Sequence, residues 1–183
     1  GLDKFTILYS GPIRSGSFGK VTKKYFNIIK CNKCGLTKLE DFPKVDYDSA
    51  AYREEYNDSS DIETYIELHD SEQAPRIKRI GIEKFQNKTV LDYGCGGGAF
   101  LDLIKGIANH TIAIEPFIGY HQSLKERGHE VFKYAKDAKD YIGKVDIITT
   151  FGVIEHVENP LAMLGDIYDL LSDNGDAYID NCN

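Results

Sequence analysis

The run from Thr89 to Phe100, TVLDYGCGGGAF, constrains the fold more than any other stretch of this chain. The β-branched and apolar residues Thr89, Val90 and Leu91 end in an acid, Asp92, and give way within two residues to Gly94, Gly96, Gly97 and Gly98 before Phe100 and Leu101 resume an apolar pattern. That order spells a buried strand, a tight turn and the start of a helix. Glycine is needed at such a turn because a Cβ would block both positive φ values and the close approach of a ligand to the backbone. The turn is therefore suited to holding a nucleotide-like molecule over the carboxyl end of the strand.

Two ligand classes use this architecture. Gly94-Cys95-Gly96-Gly97-Gly98-Ala99 satisfies G-x-G-x-x-A, a dinucleotide fingerprint, and Glu115 lies 21 residues after Gly94, where an acid would take ribose hydroxyls. In that reading the chain binds NAD and belongs with nicotinamide-dependent oxidoreductases. The same residues also read as D-x-G-x-G-x-G, with Asp92 at the strand end where a pyrophosphate would pass. An acid at that point suits a cationic ligand better.

Three segments in order, VLDYGCGGGAF, TIAIEP and DIITTFGVIEHVENP, resemble the class I S-adenosylmethionine-dependent methyltransferases. More narrowly, the chain is similar to bacterial small-molecule and sugar methyltransferases that carry Glu-His after the fourth strand. The resemblance covers about residues 48 to 183. It implies an α/β fold, a Rossmann-like doubly wound parallel sheet of seven strands, of which this sequence holds five. The chain is thus expected to be truncated after the fifth strand or to cover its sheet edge in some other way, since an open edge is an aggregation liability.

The resemblance also distributes roles. Gly94, Cys95 and Gly96 would let the loop backbone reach the methionine end of S-adenosylmethionine, and Asp92 would meet its amino group directly or through water. Glu115 would accept both ribose hydroxyls, because an ionised carboxylate offers two acceptor oxygens. Pro116 and Phe117 would flank the adenine, with Asp137 or Asp140 taking its amino group. Phe151 and Gly152 would line the methyl donor, and Tyr52 and Tyr56 would stand near the methionine end or pack beneath a lid. His156 would be the general base where the acceptor must lose a proton, oriented by Glu155; the alternative is a histidine that caps a turn. Some relatives bind a metal through Glu-x-x-Glu-His, but Gly152 stands where the first glutamate would be, so no metal is expected there.

Composition bounds the rest. With 183 residues, 42% of them hydrophobic, the chain can bury one good core and carry an appendage. It has no apolar run of ~20 residues and no signal peptide, so no membrane is expected as a partner. The net charge of −7 hides an asymmetry. Residues 1–40 hold eight Lys and Arg against two acids, and residues 41–183 hold 14 against 27. A basic arm on an acidic body could meet a phosphorylated substrate or dock on its own domain. No basic face of the kind nucleic acid requires is present. Four cysteines, Cys31, Cys34, Cys95 and Cys182, fit a reducing cytoplasm.

Three regions are expected: residues 1–45, a basic β segment; residues 46–88, a helical lid; and residues 89–183, the cofactor-binding core. In the first, Cys31-Asn32-Lys33-Cys34-Gly35 has the turn of a zinc knuckle but lacks a second pair of ligands, and the alternative is a tight turn between strands. In the second, Ile62, Tyr65, Ile66 and His69 share a helical face, and Asp70-Ser71 is expected to cap a further helix carrying Ile77, Ile80 and Phe85. The core alternates strand and helix, the signature of a parallel sheet covered on both faces. Its last helix is expected to start at Asn159-Pro160 and to bury Leu161, Leu164, Tyr168 and Leu171. The expected activity is methyl transfer to a small molecule, most specifically a sugar or sugar nucleotide, with an inactive adenosyl-ligand-binding fragment as the competing reading.

Overall fold

A computed structural model describes residues 4–14, 20–43, 46–55 and 59–181. Two sheets are present. The smaller is antiparallel, in the order β1 (Phe5–Gly11), β2 (Phe26–Cys31) and β3 (Thr37–Leu39). The larger is parallel and holds β4 (Thr89–Tyr93), β5 (His110–Ile114), β6 (Glu130–Phe132), β7 (Val145–Phe151) and β8 (Leu171–Asp180), in the spatial order β6-β5-β4-β7-β8. The chain therefore winds outward from β4 through β5 to β6, then crosses back to β7 on the other side of β4. That reversal opens a crevice at the carboxyl ends of β4 and β7.

Both faces of the central strands β4, β5 and β7 are buried, which is why these strands read as near-continuous apolar runs rather than alternating ones. Successive residues serve opposite faces. Val90, Ala113 and Ile147 pack with Phe85, Phe100, Leu101, Ile104, Tyr120 and Leu124 on one side. Leu91, Ile112, Ile114 and Ile148 pack with Met163, Ile167 and Leu170 on the other. The register of Leu91 opposite Ile112 and Ile148 aligns these residues across three strands.

Five α-helices are present among the described residues: α1 (Ala50–Glu55), α2 (Ile62–Ile80), α3 (Ala99–Ile104), α4 (His121–Glu126) and α5 (Pro160–Leu170). The Rossmann-like architecture anticipated above is present. Two local expectations are corrected. Asp70-Ser71 begins no new helix, because α2 runs unbroken from Ile62 to Ile80 and its N-cap is Asp61, whose carboxylate accepts from Thr64 N at 3.0 Å. Ile62 and Ile80 are 18 residues apart, or about five turns at 3.6 residues each, so both meet the same core cluster with Tyr65 and Ile77. One continuous helix satisfies that packing; two would break its register.

The second correction concerns α5. Asn159 caps it as expected, accepting from Ala162 N at 3.1 Å with Pro160 in the first turn. The buried stripe, however, is Met163, Ile167 and Leu170, while Leu161 is 79% and Tyr168 80% exposed. Both triplets have helical spacing, and the face that turns inward is the one that reaches Ile148 and Leu91.

Cys31 closes β2, and Asn32, Lys33 and Cys34 form the turn into Gly35, with Gly35 N donating to Cys31 O at 2.9 Å. No group of three or more His, Cys, Asp or Glu side chains suited to a metal occurs among the described residues. No described helix is long and apolar enough to cross a membrane.

Candidate active site

The loop after β4 is shaped by its glycines. Gly94 sits at φ +78°, where a Cβ would come within 2.5 Å of Val153, and Gly98 at φ +79°, where a Cβ would come within 2.3 Å of Leu124. Gly94 N and Cys95 N both donate to Ile114 O, at 2.8 and 3.1 Å, which ties the loop to the end of β5. Two cavities flank this loop and share Tyr52, Arg53, Tyr65, Gly94, Phe151, Gly152 and His156.

The first cavity, of about 400 Å³, reaches Glu115, Pro116, Lys133 and Tyr134. Glu115 is the residue just beyond β5 and is 1% exposed. Its Oε2 accepts from Gly96 N at 2.9 Å, and its Oε1 from Phe117 N at 2.9 Å and from Arg53 Nη2 at 2.7 Å. Burial pushes its carboxyl above the usual range, and the Arg53 charge opposes that shift.

The second cavity, of about 510 Å³, holds Asp92, Cys95, Arg76 and Arg79. Asp92 is 3% exposed and accepts from Thr149 Oγ1 at 2.7 Å. Burial pushes its carboxyl up to about 7, opposed by the Thr149 hydrogen bond and by the charge of Arg76. The Arg76 guanidinium lies 4.6 Å from the centroid of the Phe151 ring and is steadied by Gln73 Oε1 at 2.9 Å and Glu72 Oε2 at 3.0 Å. A carboxylate and a guanidinium in one cavity can read the two ends of a zwitterionic amino acid. Burial raises the Cys95 thiol, and its Sγ lies 3.4 Å from Gly96 O, so it stays a neutral group.

The structure brings together Asp92, Gly94, Cys95, Gly96, Glu115, Pro116, Phe151, Tyr52 and His156 along these two cavities. Tyr56 lies outside the described residues. Phe117 departs from expectation: its ring packs on Tyr120, centroids 4.8 Å apart, within the core cluster, and only its backbone N–H faces Glu115. Asp137 also departs, because its carboxylate accepts from Tyr134 N at 3.1 Å and closes the short turn after β6, leaving it exposed; neither it nor Asp140 lines either of these two cavities. Lys133 and Tyr134 stand there instead, steadied by Asp48 through hydrogen bonds of 2.7 and 2.6 Å.

The backbone N–H of His156 donates to Val153 O at 2.8 Å in the turn after β7, and its ring stands at the cavity wall. Its ring leans on Tyr47, centroids 5.9 Å apart, and makes no hydrogen bond to Glu155. Arg53, Arg76 and Tyr134 escaped sequence reasoning. Each lies outside the motif strands, and none sits in a pattern that distinguishes it from a solvated side chain.

A family profile described as a methyltransferase domain matches residues 65–183. The chain belongs to that family. Among solved structures, the chain is similar to a DhpI–SAH complex, with 17% identity, a TM-score of 0.53 and 72% of this chain aligned to 64% of that one. A protein of Methanococcus maripaludis described as S-adenosyl-L-methionine-dependent methyltransferase has 18% identity and a TM-score of 0.55, over 76% of this chain and 66% of the other. A SAM-dependent methyltransferase from Aquifex aeolicus has 18% identity and a TM-score of 0.52, over 64% and 69%. At these identities the likeness is one of fold. The chain spans just under two thirds of the first two of these proteins. No curated protein matches it.

Proposed function

We propose that this chain binds S-adenosylmethionine across the two cavities and transfers its methyl group to a small molecule. The observation that carries the reading is the pairing of two buried carboxylates with different surroundings at the ends of adjacent strands, Asp92 beside Arg76 and Glu115 beside the opening to Pro116 and Tyr134. The ligand's amino acid end and its nucleoside end need such a pair.

The residues present fit the group. A Cβ at Gly96 would come within 2.1 Å of the Tyr65 hydroxyl, so only a glycine lets Tyr65 and the cavity wall close in on the loop backbone. Asp92 would hold the ammonium and Arg76 the carboxylate. Glu115 would take the ribose hydroxyls, and Pro116 and Tyr134 would bound the adenine. When bound, the cofactor supplies a methyl carbon already made electrophilic by a sulfonium. The protein's own work is then alignment, with Tyr52, Phe151 and Gly152 as the walls shared by both cavities. His156 would accept a proton from the acceptor at a ring nitrogen where the acceptor is a hydroxyl or amine. Tyr47 beside the ring would keep it at the cavity wall in the role the sequence reading gave to Glu155.

The finer reading, a sugar or sugar nucleotide as acceptor, rests on the likeness of the Cys31–Cys34 knuckle and of Glu155-His156 to sugar methyltransferases. A cytoplasmic setting fits the free thiols of Cys31, Cys34 and Cys95. Calorimetric titration with S-adenosylhomocysteine and with NAD tests the cofactor directly. Binding of the adenosyl ligand alone supports the reading, and binding of NAD alone would overturn it.

A further inference from the structure

The carboxylate proposed for the ribose is closed to an incoming ligand. Glu115 accepts three hydrogen bonds, from Gly96 N, Phe117 N and Arg53 Nη2, and is 1% exposed. The two backbone donors are fixed, one in the loop tied to Ile114 O and the other in the turn directly after β5. Arg53 is different in kind. It is a side chain on the six-residue helix α1, and loosening of that short helix would withdraw it.

Its surroundings are those of a plug. The guanidinium lies 5.6, 5.5, 5.9 and 5.3 Å from the ring centroids of Tyr52, Tyr65, Phe117 and Tyr120, and the side chain is 11% exposed. Four aromatic rings and a carboxylate make a strong cation site, and the chain fills it with its own cation. Arg53 is also among the residues that line both cavities.

We propose that Arg53 is a gate on the nucleoside subsite: it occupies Glu115 in the empty protein and leaves when an adenosyl ligand brings its ribose hydroxyls to Oε1. The inference rests on the cofactor reading above and deepens it. It accounts for a feature that reading leaves unexplained, a ribose-binding carboxylate already ion-paired. Removing one partner of a buried pair strands the other's charge, so Arg53 leaves Glu115 only when ligand hydroxyls take its place. Ligand affinity is lowered by whatever free energy opening the gate costs.

Two measurements decide it. Arg53→Ala should bind S-adenosylhomocysteine about 10-fold more tightly than the wild type, the size expected for relief from breaking a charge-assisted hydrogen bond. The gain should vanish in a Glu115→Gln background, where the pair no longer exists. Equal or weaker binding by Arg53→Ala, with the wild type binding normally, would overturn the gate and leave the cofactor reading standing. Absence of binding in both proteins would instead overturn the cofactor reading and the gate with it. Arg53→Ala could lose its fold, so amide hydrogen exchange of residues 50–55 in the wild type gives a second decision. Faster exchange on adding S-adenosylhomocysteine supports a gate that opens, and slower exchange would mean that α1 clamps onto the ligand.

Discussion

Asp92 carries the clearest prediction at the scale of a single residue. Burial raises its carboxyl from an ordinary 3.8 to about 7 in the empty protein. Between those values the folded chain holds a proton that the unfolded chain has given up. Its contribution to stability is therefore fully present below about pH 4 and lost as pH rises through about 7. A ligand ammonium needs the ionised form, so affinity for S-adenosylhomocysteine should rise with pH up to about 7 and then level. Asp92→Asn should flatten both profiles; a pH-dependent affinity unchanged in that variant would place the ammonium elsewhere. His156 gives a second test at this scale. It is exposed and its side chain makes no hydrogen bond to another described residue, so His156→Ala should leave the melting temperature and ligand affinity nearly unchanged. If it takes the acceptor's proton, turnover should fall by ~10²- to 10⁴-fold. Full turnover would leave alignment as the whole of the catalysis. Asp92, Glu115 and His156 were all legible in the sequence because each ends or follows a strand whose apolar run is unmistakable. Arg53 and Arg76 were not, because a guanidinium on a helix is ordinarily solvated, and only tertiary packing brings these two to the carboxylates.

Among the elements, α5 separates pattern from packing. Its sequence offers two apolar stripes, and periodicity alone favours neither, since Leu161, Leu164 and Tyr168 are spaced as well as Met163, Ile167 and Leu170. The choice is made by the cap at Asn159 and by which side chains reach the sheet. Met163→Ala should cost about 2 to 5 kcal/mol by leaving a void against Ile148 and Leu91. Leu161→Ala should stay within about 0.5 kcal/mol, as exposed positions do. Denaturant melts of the two variants check the assignment, and the opposite ranking would return the stripe to the other face. For α2 the sequence reading failed through a local signal that was real but outvoted. Asp70-Ser71 is a competent cap, yet Asp61 is better placed and the core face continues from Ile62 to Ile80. Asp61→Ala should cost about 1 kcal/mol by thermal or chemical unfolding, whereas Asp70→Ala should cost little.

At the scale of the whole molecule, alternation of strand and helix announced a parallel sheet, and the resemblance implied the reversal after β6 that places the crevice between β4 and β7. The contents of that crevice are set by what folds over it. The segment 46–85 supplies Tyr47, Tyr52, Arg53, Tyr65 and Arg76, which form the walls together with the motif residues. A weakly patterned segment of this kind reveals its role only through contact with the sheet. The account's central claim is that this crevice binds S-adenosylmethionine with Glu115 at the ribose and Asp92 at the amino group. A crystal structure of the protein with S-adenosylhomocysteine tests it most directly. The account predicts ribose hydroxyls within hydrogen-bonding distance of Glu115, the amino group against Asp92 and Arg53 withdrawn from its ring of aromatics; a ligand seated elsewhere, or lying with its adenine toward Arg76, would contradict it.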